Sequence, residues 1–283
     1  MDDRTVTLTG AEPLLANPGN LVQQQSEAIV NLDLSEVTFV CPLDLVAIAA
    51  WSISLPASQR GEFRLPASAT ASYLERMNLL ELLRGQGWTG PRPETLPWED
   101  LPDRLLEVTP LDNPDDVEIL GDRLPRLWAG RTGDPKRSRS LHFAFGELSD
   151  NATTHSGAAP IFVAAQRYTG ATSPHAARLE LAVADAGVGI PEHLRRNPQY
   201  ADLQGDAEAI AEALRPGVSG TRDRRGYGFF DVLREMSEVG SGELFVVSGG
   251  AALSVPFGMP GRRRKWALEG SIQGSWVQVR LFE

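Results

Sequence analysis

Glu147 and Asn151 lie four residues apart in ELSDN, a spacing that puts a carboxylate and a carboxamide on one face of a helix. An amide oxygen can ligate Mg²⁺, a hard oxygen-seeking ion, while a carboxylate one turn away can polarise a water or hydroxyl toward a bound phosphate. A second segment, Asp185-Ala186-Gly187-Val188-Gly189-Ile190, follows the apolar run LELAVA. An Asp at a strand end can accept a hydrogen bond from an exocyclic amine such as adenine's, and the two glycines let backbone approach a ligand closely. In a third segment, Arg225-Gly226-Tyr227-Gly228-Phe229 opens a helical pattern. Glycines at a helix N-terminus offer an anion free backbone N–H groups and the positive end of the dipole. Taken singly, each segment has an ordinary alternative: a solvated polar face, an Asp-Gly turn, a plain helix start. The second is neither a GxGxxG dinucleotide fingerprint nor a GxxxxGKS/T loop.

These segments need elements to hold them. LHFAFGELSDNATTHS carries Leu141, Phe145 and Leu148 on one stripe and predicts a helix, while ARLELAVAD predicts a strand ending at Asp185. YGFFDVLREMSEV predicts a helix, IFVAAQRY and GELFVVS predict strands, and two short strands follow, ending in GSWVQVRLF. Asn113-Pro114-Asp115-Asp116 reads as a helix start, with Asn as cap, Pro at the first position and acids in the first turn, for a helix reaching about residue 129. Residues 191–225 read as a long polar segment with a short helix at 206–214. Upstream, 28–50 reads as strand, turn and helix. A strand at 61–66 and a helix at 71–83 follow, making a small α/β layer domain over 1–85. The Gly- and Pro-rich stretch after Gly85 reads as an irregular connector over 86–112, leaving 113–283 as the second domain.

The chain has 283 residues, 42% hydrophobic and 23% charged, so it can bury a core, and general disorder is excluded. No run approaches the roughly 20 apolar residues of a membrane span, and MDDRTVTLTG lacks the basic and apolar regions of a signal peptide. A cytoplasmic location is expected. One cysteine, Cys41, and four His exclude an internal disulfide and a Cys/His zinc cluster. The net charge of −10 is split unevenly, with −12 in residues 1–120 and +2 in the rest. Such a split can steer docking of two halves or of a partner. Nucleic-acid binding would need a local patch, and the densest, Arg262, Arg263, Arg264 and Lys265, reads as a solvated hairpin tip.

In their order and spacing the three segments resemble the Bergerat-fold ATPases, the GHKL superfamily of gyrase, chaperone, histidine-kinase and mismatch-repair ATPases. ELSDNATTHSG looks like the N box, DAGVGI like the DxGxG box, and RGYGF like the GxGL-type box with Phe229 for Leu. Gly274-Ser275 before an alternating strand looks like the family's GT ending, with Ser for Thr. The resemblance covers about residues 113–283 and implies a Bergerat α/β sandwich that binds ATP and Mg²⁺. It implies that Asp185 reads the adenine amine beside Gly187, Gly189 and Ile190, and that Ser275 belongs to the same site. Asn151 would ligate Mg²⁺ and Glu147 would be the general base. The stretch Gly226, Tyr227 and Gly228 would cradle phosphates, with Ser219, Gly220, Thr221 and Arg225 contributing from a lid over 191–225. His155 matches an NAxxH pattern of serine-kinase relatives, and packing or capping is its other use.

Glu147 points away from sensor histidine kinases, which resemble this pattern but carry Asn there. It points toward ATPases and the anti-sigma factor serine kinases. The first domain is similar to STAS domains of anti-anti-sigma factors, with Cys41-Pro42-Leu43-Asp44-Leu45 at the turn where that family carries its phosphoacceptor. Leu43 has no hydroxyl, so the resemblance implies a docking or scaffold module. The expectation is an α/β (α+β) protein of two domains, a Mg-ATP-binding regulatory ATPase or serine/threonine kinase of the anti-sigma type. Its alternative is a non-catalytic ATP-dependent switch gating a protein partner. A regulatory protein partner is implied, homodimerisation is left open, and neither membrane nor nucleic acid is supported.

Overall fold

The computed structural model describes residues 3–22, 28–94, 103–129, 134–155, 157, 160–169, 177–219, 228–259 and 261–282. The first unit is a parallel three-stranded sheet, in the order β1 (Arg4–Ala11), β2 (Val30–Phe39), β3 (Arg60–Arg64). Its helices are α1 (Pro13–Ala16), α2 (Pro42–Ser54), α3 (Ser68–Arg76) and α4 (Leu79–Gly85). The stretch 71–83, expected as one helix, breaks at Asn78, which takes a left-handed φ of 66° that Asn tolerates better than most residues.

The second unit contains β4 (Leu105–Leu111), α5 (Pro114–Ala129), α6 (Pro135–His155), β5 (Ile161–Tyr168) and β6 (Arg178–Asp185). It continues with α7 (Ile190–Arg195), α8 (Asp206–Ala213), α9 (Gly228–Val239), β7 (Gly242–Pro256) and β8 (Arg264–Phe282). Its five strands pair antiparallel in the order β4-β5-β6-β8-β7. The chain is thus mixed α/β. Strand β4 lies in the stretch expected to be an irregular connector. Its Leu105, Leu106, Val108 and Leu111 are buried, and its Pro110 is tolerated because β4 is an edge strand. The expected short C-terminal strands are instead one long hairpin, β7 and β8, with Arg262 and Arg263 in its turn and Arg264 and Lys265 starting β8.

Strand alternation gives the large sheet two apolar faces. Val163, Leu181, Val183, Val277 and Val279 point into one core shared with α5, α6 and α9. Phe162, Ala164, Ala182, Ala184 and Trp276 point into the other, which they share with α2 and the first sheet. Helix α2 is buried from Pro42 to Ser52, as a mostly apolar helix must be, with its Asp44 and Ser52 hydrogen-bonded. It lies on β5, β6 and β8 as the layer that covers the sheet. The two halves therefore meet mainly through apolar packing, rather than through the acidic-against-basic surface attraction that the charge split suggests.

The N-terminus of α2 is capped from both sides. Asp44 accepts from the Cys41 and Leu14 backbone N–H groups at 2.7 and 2.9 Å, and burial raises its carboxyl to about 7. Gln278 of β8 accepts from the Leu43 N–H at 3.1 Å. Leu43 itself is fully buried. Beside this cap lies a buried ionic cluster. Glu12 bonds Arg178 at 2.8 Å and Arg280 at 3.0 Å, and Glu180 lies 2.7 Å from Arg178 and 2.6 Å from Arg280. Glu12, Cys41 and Glu180 are close enough to share an ion. The two guanidinium groups already neutralise those carboxylates, and burial pushes the Cys41 thiol up. Among the described residues no helix is long and apolar enough to cross a membrane.

Candidate functional site

Asp185 ends β6, and Ser275 stands directly opposite it in β8. The carboxylate of Asp185 is buried, and its Oδ1 accepts the Gly187 N–H at 2.8 Å. The Ser275 backbone N–H also bonds it. Burial raises the Asp185 carboxyl to about 6, against the downward pull of those two N–H groups. After Gly187 the chain turns at Gly189, whose φ is 80°. A Cβ there would lie 2.9 Å from both Gly274 O and Ser248 Oγ, so only glycine fits this turn.

Helix α6 lies across the sheet and carries Glu147 and Asn151 on one face, as the i, i+4 spacing requires. The N-terminus of α9 abuts that face. A Cβ on Gly228 would come 2.7 Å from Asn151 Nδ2 and 3.0 Å from Glu147 Oε2, so a larger residue there would make both side chains give way. Burial, then Asp150 and Asp231, raise the Glu147 carboxyl.

Between these elements opens a cleft lined by Asn151, Asp185, Gly189, Ile190, Ser219, Gly228 and Ser275 together with apolar side chains. Leu148, Val183, Phe229 and Val277 form much of its wall. Seven positions expected from sequence thus line one cavity. Gly187 stands at its edge through its bond to Asp185, and Glu147 sits beside it against Gly228 rather than in its lining. The His155 side chain and Gly220, Thr221, Arg225, Gly226 and Tyr227 lie outside the described residues.

Of the segment 191–225, residues 191–219 are described, and the short helix expected there is α8. Ala209, Ile210 and Leu214 are buried. Asp206 bonds Arg195 at 2.8 Å and accepts the Gly250 N–H at 2.7 Å, which pins α8 to β7. Asn197 donates to Ser219 O at 2.9 Å.

Two residues were missed from sequence. His193 lines the cleft from α7, and burial followed by the charge of Arg196 lowers its pKa. Its place three residues beyond Ile190, on the helix that opens after Gly189, was an available signal. Ser248 of β7 braces the Gly189 turn and gives no local signal.

Chemically, the cleft offers a buried carboxylate acceptor at its apolar end, an amide on α6 and a helix N-terminus facing that amide. Asn151 Nδ2 is buried without a hydrogen-bond partner among the described residues, as a side chain meant to meet a ligand would be. Its Oδ1 is a suitable donor for a hard cation.

No family model and no curated protein matches the chain. One solved structure, titled "Crystal Structure of N terminal domain of a DNA repair protein", aligns with 61% of this chain and 42% of that chain at 16% identity and a TM-score of 0.24. This chain therefore spans less than half the length of that one, and a likeness at this level bears no weight.

Proposed function

We propose that the cleft binds Mg-ATP and that the chain is a regulatory ATPase or a serine/threonine protein kinase of the anti-sigma type, built on a Bergerat domain with a docked STAS-like unit. What carries this is the convergence of Asn151, Asp185, Gly228 and Ser275, widely separated in sequence, on one cavity. Asp185 would accept from the base amine at the apolar end, between Val183 and Val277. Phosphates would lie toward Asn151 and the N-terminus of α9, where backbone N–H groups and the helix dipole favour anions. Asn151 would hold Mg²⁺, which supplies charge neutralisation at the phosphates. Glu147, with its raised carboxyl, would take the proton of a water or of a partner's hydroxyl.

One observation favours the non-catalytic switch as a second reading: Glu147 stands beside the cleft lining rather than in it. Incubation with γ-labelled ATP, alone and with candidate partner proteins, separates the two. Free phosphate means hydrolysis, label on protein means kinase activity, and intact bound ATP means a switch. Failure to bind ATP at all would overturn both.

The protonation of Asp185 gives a signed prediction. An amine needs the ionised carboxylate, so affinity should fall as pH drops through about 6, by roughly tenfold per unit below that if the protonated form does not bind. The stability of the ligand-free protein should respond the opposite way. A carboxyl raised in the fold favours folding at low pH, and that contribution is lost as pH rises through its folded value. Calorimetric titrations and thermal melts between pH 4 and pH 8 check both trends, with Asp185→Asn expected to flatten the first and only to lessen the second, because buried Asp44, raised to about 7, contributes a stability trend of the same sign.

A further inference from the structure

Ser248 lies outside the cleft, fully buried in β7, yet all the hydrogen-bonding capacity of its hydroxyl is used beside Asp185 and Ser275. Its Oγ donates to Gly274 O at 2.8 Å, accepts the Ile190 N–H at 2.9 Å and lies 3.0 Å from Ser275 Oγ. A serine hydroxyl has one proton and two lone pairs. The carbonyl of Gly274 can only accept, so it takes the proton of Ser248, and Ile190 takes one lone pair. The remaining contact then has one direction, with the Ser275 O–H donating to Ser248 and its proton turned away from the cleft. Ser275, which lines the cleft, presents only lone pairs there. Beside it stands Asp185, whose ionised carboxylate also only accepts.

Resting on the nucleotide reading above, we propose that Ser248 is a positioning residue that fixes the Ser275 hydroxyl as an acceptor and so makes the cleft select an amino-bearing base over an oxo-bearing one. Two acceptors side by side suit an exocyclic amine, which has two hydrogens to give. An oxo group at the same place brings a third acceptor with no proton between them. Because the preference is set from β7, it does not depend on changing any group that touches the ligand.

The test is the ratio of dissociation constants for Mg-ATP and Mg-ITP, measured by calorimetry at pH 8, where Asp185 is ionised. ITP differs from ATP at the base by an oxo group in place of the amine and by a hydrogen on the neighbouring ring nitrogen N1, so at the exocyclic position it offers an acceptor where ATP offers two hydrogens. The wild-type protein should prefer ATP by about 10- to 100-fold. In Ser248→Ala the Ser275 hydroxyl is released and can turn to donate into the cleft, so the preference should shrink by about fivefold or more, chiefly through better ITP binding. A purely structural role would weaken both nucleotides alike and leave the ratio unchanged, which would overturn the proposal. Ser275→Ala removes the acceptor itself and should also shrink the ratio. An unchanged ratio there overturns the proposal even if Ser248→Ala does not fold. If the wild-type protein binds neither nucleotide, the ATP reading itself fails and takes this proposal with it, whereas ATP binding with no preference over ITP sinks this proposal alone.

Discussion

Glu147→Ala is expected to bind Mg-ATP much as the wild-type protein does and to consume it about 10²- to 10⁴-fold more slowly, the usual contribution of a positioned general base. The substitution removes a carboxylate that lies against Gly228 at the start of α9, one turn from Asn151 on the same helix face. Asn151 and the α9 N-terminus remain in place, so the metal and phosphate contacts should survive. Binding is read by calorimetry and turnover by release or transfer of label from γ-labelled ATP, with partner proteins included because the hydroxyl that gives up its proton and takes the phosphoryl group can be theirs. A variant that turns over at the wild-type rate would assign Glu147 to the partly buried polar face of α6. The switch reading would then be preferred.

Arg280→Met is expected to destabilise the fold by about 3–5 kcal/mol, the cost of breaking a buried ion pair by deleting one partner. That is a large fraction of the roughly 5–15 kcal/mol by which domains are stable. Arg280 lies 2.6 Å from Glu180 and 3.0 Å from Glu12, and Glu180 is fully buried. Methionine keeps much of the volume, so the loss would come from charge, with Glu180 left to Arg178 alone. Glu12 comes from the first unit, at a left-handed φ of 49°, whereas Arg178, Glu180 and Arg280 come from β6 and β8. The cluster therefore ties the two halves together at the end of the strands away from Asp185 and Ser275. Urea unfolding followed by tryptophan fluorescence measures the loss. The double variant Glu180→Gln, Arg280→Met should recover part of it, because no buried carboxylate is then left short of a cation. Equal stability of Arg280→Met and the wild-type protein would mean that water reaches the cluster.

The site was more legible in the sequence than its surroundings. Glu147 and Asn151 lie one helical turn apart, so their shared face, flanking the stripe of Leu141, Phe145 and Leu148, follows from local spacing alone. Asp185 ends a run of apolar residues, and Gly228 opens an amphipathic helix. Each of these signals lies within about ten residues. What was not legible depends on partners far away in the chain. Strand β1 buries only Val6 and Leu8 among its eight residues, too weak an alternation to announce a strand. Strand β4 sits among prolines and is a strand because β5 pairs with it. The Ala- and Leu-rich sequence of α2 predicts a helix but not what covers it. The answer, Gln278 capping Leu43 and Trp276 packing in the same core, comes from more than 200 residues downstream. Ser248 holds the Ile190 N–H across 58 residues through a sheet register that no periodicity encodes.

Everything proposed for this cleft rests on Asp185 meeting the amine of a bound base. The most direct test is calorimetric titration of Mg-ATP into the wild-type protein and Asp185→Asn at pH 8. The substitution keeps the shape but puts an amide that can present a donor where the amine needs an acceptor. Affinity should fall by about 5- to 150-fold, corresponding to roughly 1 to 3 kcal/mol for a mispaired buried polar group, with the thermal transition of the ligand-free protein preserved or raised. Equal affinity in the two proteins, or no binding to the wild-type protein, would contradict the account.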